Sequence, residues 1–306
     1  MIIFGGVDGT GVWNNDKYAK TFEYSFVRIL YNSWTAGPRN YERGPVTADN
    51  KLSDYTYFSA LRTYRHVLSN WKASGSAVFL AGYSRGGAAV IEVAKWLKNK
   101  GIPVECLILF DPVDRTGQMG LPWKDTPIAD TVKTIVYAKR MKSAKSRESF
   151  GNCGLRMWNG ERTPYKEFFA THGGLGGVPW TEPKAGGFID EGPPDFKTRV
   201  TVAMDRAGAN AVQKWSFDLV MDTLLECEER LSEPDGPAKQ PGANPRRPGQ
   251  EPKIHVVQPG DWLSKIAITY YGDMNKWRVI YDHPQNRRTI GANPNLIKPG
   301  QRLLIP

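Results

Sequence analysis

The sequence has few residues of the types that hold metals or form disulfide frameworks, with three cysteines and four histidines among 306 residues. Cys106, Cys153 and Cys227 are far apart and odd in number, which matches neither a disulfide framework nor a metal-ligand pattern. No apolar run reaches the roughly 18 residues that indicate a transmembrane helix. The first residues lack the basic start and apolar core of a secretory signal peptide. We therefore expect no metal and no cofactor, synthesis in the cytoplasm, and export by a route that needs no such signal.

The composition is that of a globular protein, with 40% hydrophobic and 24% charged residues. The net charge is +10, but no single helix or arm concentrates the basic residues, so a nucleic-acid partner is not expected. A positive charge is compatible with attraction to an anionic lipid surface, and solubility alone explains it equally well.

A proline-rich segment divides the chain. Residues 231–253 contain six prolines and three glycines and almost no large apolar side chain, which predicts an extended linker. Residues 1–230 and 254–306 are then two separate domains.

Strands and helices alternate in residues 1–230. Apolar runs predict strands at 2–6, 77–81, 104–110 and 134–138, and helical periodicity predicts helices at 18–34, 54–72, 85–100 and 202–231. Residues 141–195 are irregular. Alternating strands and helices, with strands that are apolar throughout, are typical of a doubly wound α/β fold with a parallel sheet.

The strongest local signal is the stretch GYSRGG at residues 82–87. It fits the G-x-S-x-G pattern and lies between a predicted buried strand and a predicted helix, as a nucleophile on a strand-to-helix turn requires. Ser84 is therefore the predicted nucleophile. The Arg85 N–H at the helix start is a predicted oxyanion donor, and backbone N–H groups near Gly9 are a second candidate.

A serine nucleophile needs a base and an acid that orients it. Asp111 follows a buried strand, where ligands bind in open α/β sheets, and is the predicted acid. Asp114 is its nearest rival, and Asp190, Asp195 and Asp205 come later in the chain. His172 is the predicted base, because His66 precedes the serine in a helix and the remaining two histidines follow the linker.

With these residues placed, most of residues 1–185 resemble the alpha/beta-hydrolase family of type VI secretion lipase effectors that carry the DUF2235 domain. The similar stretches are VDGTG, YERGP, GYSRGG, LFDPV and HGGLGG, which begin at residues 7, 41, 82, 109 and 172. The resemblance implies ester hydrolysis, most plausibly phospholipase A-type cleavage of acyl chains. One departure matters: the family has an aspartate two residues after its histidine, where this chain has Gly174, so Asp111 is expected to orient His172 alone.

Residues 254–306 closely resemble a LysM domain, through QPGD at 258–261, YGD at 271–273, NPN at 293–295 and IKPGQ at 297–301. The residue pattern predicts a strand, two helices and a strand. LysM modules bind N-acetylglucosamine polymers such as peptidoglycan. The resemblance places that groove on two loops, whose residues are Gly260, Asp261, Trp262, Leu263, Asn295, Leu296 and Ile297. An alternative is a LysM module that docks to another protein.

Three functions follow from these interpretations. The first is an antibacterial phospholipase effector that acts in the periplasm of a target cell, with a LysM module on the cell wall, a secretion spike or adaptor, and a cognate immunity protein as partners. The second is an esterase that acts on substituents of the wall glycan. The third is a non-catalytic wall-binding or baseplate protein.

Overall fold

The chain consists of two compact units, Met1–Ser232 and Glu233–Pro306, and each is described by itself. The computed structural model describes residues 1–46, 53–114, 126–181, 187–195, 197–232, 253–258, 261, 263–271, 276–291, 294 and 297–306. Within these residues, no helix combines the length and the apolar character that crossing a membrane requires.

A six-stranded sheet forms the centre of the first unit. Its strands are β1 (Ile2–Val7), β2 (Arg39–Glu42), β3 (Ala77–Tyr83), β4 (Val104–Phe110), β5 (Val132–Arg140) and β6 (Lys166–Phe168). They lie in the order β2-β1-β3-β4-β5-β6, and all neighbouring strands are parallel. The predicted α/β fold with a parallel sheet is confirmed.

Helices cover both faces of this sheet. They are α1 (Asn15–Thr21), α2 (Phe26–Ser33), α3 (Ser53–Asn70), α4 (Arg85–Lys98), α5 (His172–Leu175) and α6 (Val202–Ser232). The buried side chains of α1, α2 and α6 share one core with Phe4 and Phe79. Those of α3 and α4 share the other core with Ile3 and Val78, so successive strand residues point to opposite faces. A short antiparallel pair, β7 (Phe188–Asp190) and β8 (Lys197–Thr201), completes the unit.

The strand order reverses beside β1, since the chain moves from β1 outward to β2 and then back past β1 to β3. Ligands bind at such a switch point, outside the carboxyl ends of the strands. Asp8, Ser84 and Asp111 are the first residues after β1, β3 and β4. The topology therefore brings these three polar residues to one edge of the sheet.

One predicted helix is interrupted in the structure. The sequence predicts a single helix over 18–34, but the structure has α1 and α2 with a break between them. Ser25 explains the break, because its backbone is extended and its side chain accepts a hydrogen bond from the Arg28 N–H (3.2 Å), which starts a new helix.

The second unit contains β9 (Lys253–Val256), α7 (Leu263–Tyr271), α8 (Trp277–Tyr281), α9 (Pro284–Ile290) and β10 (Arg302–Ile305), and β9 pairs antiparallel with β10. The predicted strand–helix–helix–strand order is corrected by α9, a third helix that begins at Pro284. The side chain of Asn286 fixes this helix to β10, because its amide accepts from the Leu304 N–H (2.7 Å) and donates to the Leu304 carbonyl (2.6 Å).

Candidate active site

Ser84 lies on the sharp turn between β3 and α4. Its backbone has φ 55° and ψ −124°, a conformation that residues other than glycine rarely adopt. Strain of this kind persists where the surrounding structure imposes it, and it occurs at functional sites. The same strand–serine–helix turn carries the nucleophile in serine hydrolases with a G-x-S-x-G motif.

Two glycines make this turn sterically feasible. A Cβ on Gly86 would collide with the Val7 carbonyl oxygen, and a Cβ on Gly82 would collide with the Gly86 carbonyl oxygen. Both positions therefore need a residue without a side chain. The close approach also places the end of β1 directly beside the serine turn.

His172 begins α5, and its ring faces the serine. The distance between His172 Nε2 and Ser84 Oγ is 2.9 Å, within hydrogen-bonding range. The backbone of His172 is held on both sides, since its N–H donates to Ser146 Oγ (2.8 Å) and its carbonyl accepts from the Tyr83 hydroxyl (3.1 Å). Its ring is also bordered by the aromatic rings of Tyr83 and Phe150.

Asp111 contacts the other nitrogen of the same ring. The distance between Asp111 Oδ2 and His172 Nδ1 is 2.7 Å, and the aspartate is fully buried. These two contacts assign the tautomer: Nδ1 carries the proton and donates to the carboxylate, so Nε2 is the acceptor that faces the Ser84 hydroxyl. The three residues predicted as nucleophile, base and acid therefore form one continuous hydrogen-bonded chain.

The predicted rivals of Asp111 contact other groups. Asp195 accepts from Ser149, and Asp190 accepts from the Gly192 N–H. His172 Nδ1 contacts Asp111 and not Asp114.

Arg140 contacts the acid, Asp111. The sequence alone did not indicate this residue. It ends β5, and its guanidinium forms a buried ion pair with Asp111 Oδ2. The same guanidinium donates to the carbonyls of Ser146 (2.9 Å), Arg147 (3.0 Å) and Gly151 (2.9 Å). One side chain therefore fixes both the carboxylate and the loop that follows β5.

The acid is held in its charged form. Burial alone would raise the pKa of Asp111, but the Arg140 charge and the hydrogen bonds from His172 and Asn152 outweigh it and hold that pKa well below its usual range. Asn152 Nδ2 donates to the second carboxylate oxygen, Oδ1, at 2.8 Å. An ionised Asp111 is what an imidazole that accepts a proton requires beside it.

Asp205 holds the residue that precedes His172. This buried aspartate of α6 accepts hydrogen bonds from the Thr171 N–H (2.7 Å), the Thr171 hydroxyl (2.9 Å) and the Trp180 N–H (2.9 Å). A Cβ on Gly174 would collide with its carboxylate. The Asp205 carboxylate thus lies in the space next to Gly174 and fixes the residue before His172.

The two predicted oxyanion donors differ in the structure. Arg85 is the first residue of α4, so its N–H lies at the helix N-terminus directly after the nucleophile. The Gly9 N–H donates to the carboxylate of the preceding Asp8 (2.9 Å). That N–H is therefore occupied within its own loop.

A cavity of about 760 Å³ opens above Ser84 and His172, which lies within the range of roughly 300–1,000 Å³ for small-molecule sites. Its apolar lining consists of Val12, Phe22, Tyr83, Val113, Phe150, Val178, Pro179 and Trp180. Arg85, Arg147 and Glu191 add charge.

Among the residues that the structure describes, no three His, Cys, Asp or Glu side chains cluster as a metal site would need.

Only part of the predicted sugar groove can be located, because Gly260, Trp262, Asn295 and Leu296 lie outside the described residues. The Asp261 carboxylate contacts His255 Nε2 (2.9 Å) and accepts from the Gln258 N–H (2.9 Å). Leu263 is buried in the core of the unit and Ile297 packs against it. The Leu263 side chain is therefore a core residue, and the sugar groove stays a prediction.

The curated proteins that match this chain cover small parts of it. No protein-family model matches it. A stretch of 53 residues, 17% of this chain, is 49% identical to an uncharacterized protein of Deinococcus radiodurans and covers 19% of that protein. A stretch of 68 residues, 20% of this chain, is 37% identical to the uncharacterized protein YqbP of Bacillus subtilis and covers 31% of it. The chain thus spans less than a third of either curated relative.

Two solved structures are distantly similar. An uncharacterized protein from Pseudomonas aeruginosa matches 70% of this chain and 46% of its own, with 16% identity and a TM-score of 0.40. A protein from Pectobacterium atrosepticum, described as a YdeN-like hydrolase, matches 45% of this chain and 63% of its own, with 18% identity and a TM-score of 0.29. Similarity at this level does not indicate an activity.

Proposed function

We propose that the protein is a serine ester hydrolase whose preferred substrates are the acyl esters of membrane phospholipids. The hydrogen-bonded chain from Ser84 Oγ through the His172 ring to Asp111 carries this proposal. A serine hydroxyl is a weak nucleophile by itself, and a neutral imidazole at 2.9 Å is the group that activates it.

The reaction has two halves. Ser84 Oγ attacks the ester carbonyl carbon while His172 Nε2 takes the hydroxyl proton, and the carbonyl oxygen becomes an oxyanion. The ester C–O bond then breaks, and His172 returns the proton to the departing alcohol. Water then attacks the acyl carbon while His172 Nε2 takes one of its protons. The bond between the acyl carbon and Ser84 Oγ breaks, His172 returns the proton to Oγ, and the carboxylic acid is released. Asp111 stays ionised throughout and stabilises the transient imidazolium.

The Arg85 N–H is the first proposed donor to the oxyanion. It belongs to the first turn of α4, where helix amides point outward and the helix dipole favours negative charge. Removal of a comparable donor costs roughly 10²–10³-fold in kcat in serine proteases.

The apolar part of the cavity lining supports an acyl substrate. Half of its lining side chains are aliphatic or aromatic, and burial of an acyl chain against them is favourable by about 0.8 kcal/mol for each methylene. The net charge of +10 suits approach to an anionic lipid surface.

We also propose that the second unit is a LysM-type module that binds peptidoglycan. The proposal rests on the residue pattern of 254–306, and its two-stranded sheet with packed helices is compatible with it. A wall-bound module would raise the local concentration of the enzyme near its membrane substrate. Delivery by a secretion apparatus and neutralisation by an immunity protein belong to the same proposal.

The test uses purified full-length protein with vesicles of phosphatidylethanolamine and phosphatidylglycerol, analysed by lipid mass spectrometry. We expect free fatty acid and lysophospholipid from the wild type and neither from Ser84→Ala. Acetate released from acetylated peptidoglycan, with intact vesicles, would instead identify an esterase of the wall glycan. Equal turnover by Ser84→Ala would exclude the triad.

Wall binding is tested separately by co-sedimentation with purified peptidoglycan. We expect the full chain to sediment and a chain that ends at Ser232 to stay in the supernatant. Equal behaviour of the two proteins would contradict a wall-binding second unit.

A further inference from the structure

The loop that follows β1 is organised by a buried carboxylate. Asp8 has no solvent exposure, and its Oδ1 accepts from the Gly9 N–H (2.9 Å). Its Oδ2 accepts from the hydroxyls of Ser25 and Tyr41. These three hydrogen bonds fix the loop and engage the Gly9 N–H within it.

The loop lies directly against the nucleophile. A Cβ built on Gly9 would stand 3.3 Å from Ser84 Cβ, and a Cβ on Gly86 would collide with the Val7 carbonyl oxygen. Thr10 follows Gly9 in the chain and lines the same cavity as Ser84 and His172. Thr10 therefore borders the cavity in which an ester would reach Ser84.

The Thr10 hydroxyl also lacks a hydrogen-bond partner among the described residues. Its Oγ1 is buried. A buried hydroxyl without a partner is destabilising by about 1–3 kcal/mol, and such a group in a native structure calls for an explanation. A donor that lacks a partner in the resting state and gains one in the transition state contributes its whole hydrogen bond to catalysis.

We propose that the Thr10 hydroxyl is the second oxyanion donor, opposite the Arg85 N–H. It hydrogen-bonds the negatively charged oxygen that forms when Ser84 Oγ attacks the ester carbonyl, and it keeps its own proton throughout. Thr10 is on this account a catalytic residue, and Asp8 is a positioning residue that holds the loop. The inference rests on the proposed ester hydrolase function and adds to it a specific residue of the transition-state site.

The test compares Thr10→Val, which has nearly the same shape without a hydroxyl, with Thr10→Ser, which keeps the hydroxyl. The substrate is 4-nitrophenyl butyrate, a soluble ester that needs no membrane. We expect Thr10→Val to lower kcat by about 10²-fold while KM changes by less than about threefold, because only transition-state binding is lost. We expect Thr10→Ser to stay within about fivefold of the wild type.

Thr10→Ala provides a second variant without the hydroxyl, so that the comparison does not depend on how valine packs. A kcat within about threefold of the wild type for both Thr10→Val and Thr10→Ala would overturn the inference. An equal loss in Thr10→Ser would overturn it as well, since the hydroxyl would then not be the group that matters. Inhibition by a phenylboronic acid, which forms a tetrahedral adduct with serine, gives an independent readout: we expect weaker binding to Thr10→Val than to Thr10→Ser.

Ser84→Ala in the same assay separates the proposed hydrolase function from the proposed role of Thr10. Turnover that survives Ser84→Ala would overturn the proposed function and this inference together. Turnover that Ser84→Ala abolishes but Thr10→Val leaves intact would overturn the inference alone.

Discussion

Arg140 forms a buried ion pair with Asp111 on Oδ2, the same carboxylate oxygen that contacts His172 Nδ1. Both partners are almost entirely buried, with 6% exposure for Arg140 and none for Asp111. A buried carboxylate without a cation would be strongly destabilised. The arginine therefore has two effects: it keeps the acid ionised, and it fixes the carboxylate in the orientation that faces the histidine.

The first prediction concerns this ion pair. Arg140→Met leaves the Asp111 charge buried without its main partner, so we expect a loss of about 3–5 kcal/mol in the free energy of unfolding and a large fall in ester turnover. Lys214→Met is the control, because Lys214 pairs with Asp218 in solvent and such a pair contributes about 1 kcal/mol or less. Urea denaturation measures both variants. Equal stability of the two would contradict the role given to Arg140.

The second prediction is a pH dependence from Asp8. Burial raises the pKa of Asp8 to about 6, although hydrogen bonds from Ser25, Gly9 and Tyr41 oppose it. Because the folded state holds this proton more tightly than the unfolded state, stability from this group is greatest at low pH and is lost as the pH rises through 6. A shift of this size corresponds to roughly 3 kcal/mol.

Asp8→Asn removes that titration. We therefore expect the wild type to be more stable relative to Asp8→Asn at pH 4.5 than at pH 7.5, in urea denaturation at both values. Asp222→Asn, on the exposed face of α6, is the control and should show no such difference between the two conditions. A pH-independent difference for Asp8→Asn would contradict the buried titrating carboxylate.

The third prediction concerns the support of His172 by Asp205. Asp205→Ala removes the acceptor of three hydrogen bonds from Thr171 and Trp180. We expect turnover to fall by about 10–100-fold, because a small displacement of the imidazole is sufficient for such a loss. The control is Asp218→Ala on the same helix, where the aspartate pairs with Lys214 in solvent. Activity of Asp205→Ala equal to that of the control would show that the loop holds His172 without it.

The fourth prediction concerns substrate length. Val178 lines the cavity, and Val178→Phe should fill part of it. We expect kcat/KM for a long-chain nitrophenyl ester to fall by about tenfold or more relative to the butyrate ester, since a pocket discriminates by volume. Leu225→Phe, at an exposed position on α6, should leave the ratio unchanged. An unchanged ratio in Val178→Phe would mean that acyl chains bind elsewhere.

The nucleophile turn was predictable because its signal is local. An apolar strand, a serine flanked by glycines and an amphipathic helix occur within 22 consecutive residues, from Ala77 to Lys98. Asp111 and His172 were predictable from the chain order and from the scarcity of histidine. The parallel sheet followed from strands that are buried along their whole length.

The supporting residues were not predictable, because their contacts join distant parts of the chain. Arg140 lies 29 residues from Asp111, and Asp205 lies 34 residues from Thr171. Each has an ordinary local sequence, and only the folded topology gives it a partner. The occupied Gly9 N–H depends on the rotamer of Asp8, which no pattern of residues specifies. Helix α9 had a local signal in Pro284, which favours the first turn of a helix.

The most direct test of the central claim is labelling with a fluorophosphonate, which an activated serine attacks through its oxygen with loss of fluoride. Intact-mass and peptide mass spectrometry then identify the modified residue. We predict one adduct per chain, on Ser84, and none in Ser84→Ala; His172→Ala should slow labelling by orders of magnitude. An unlabelled Ser84 in the wild type, or labelling at the same rate in His172→Ala, would contradict the account that His172 activates this serine.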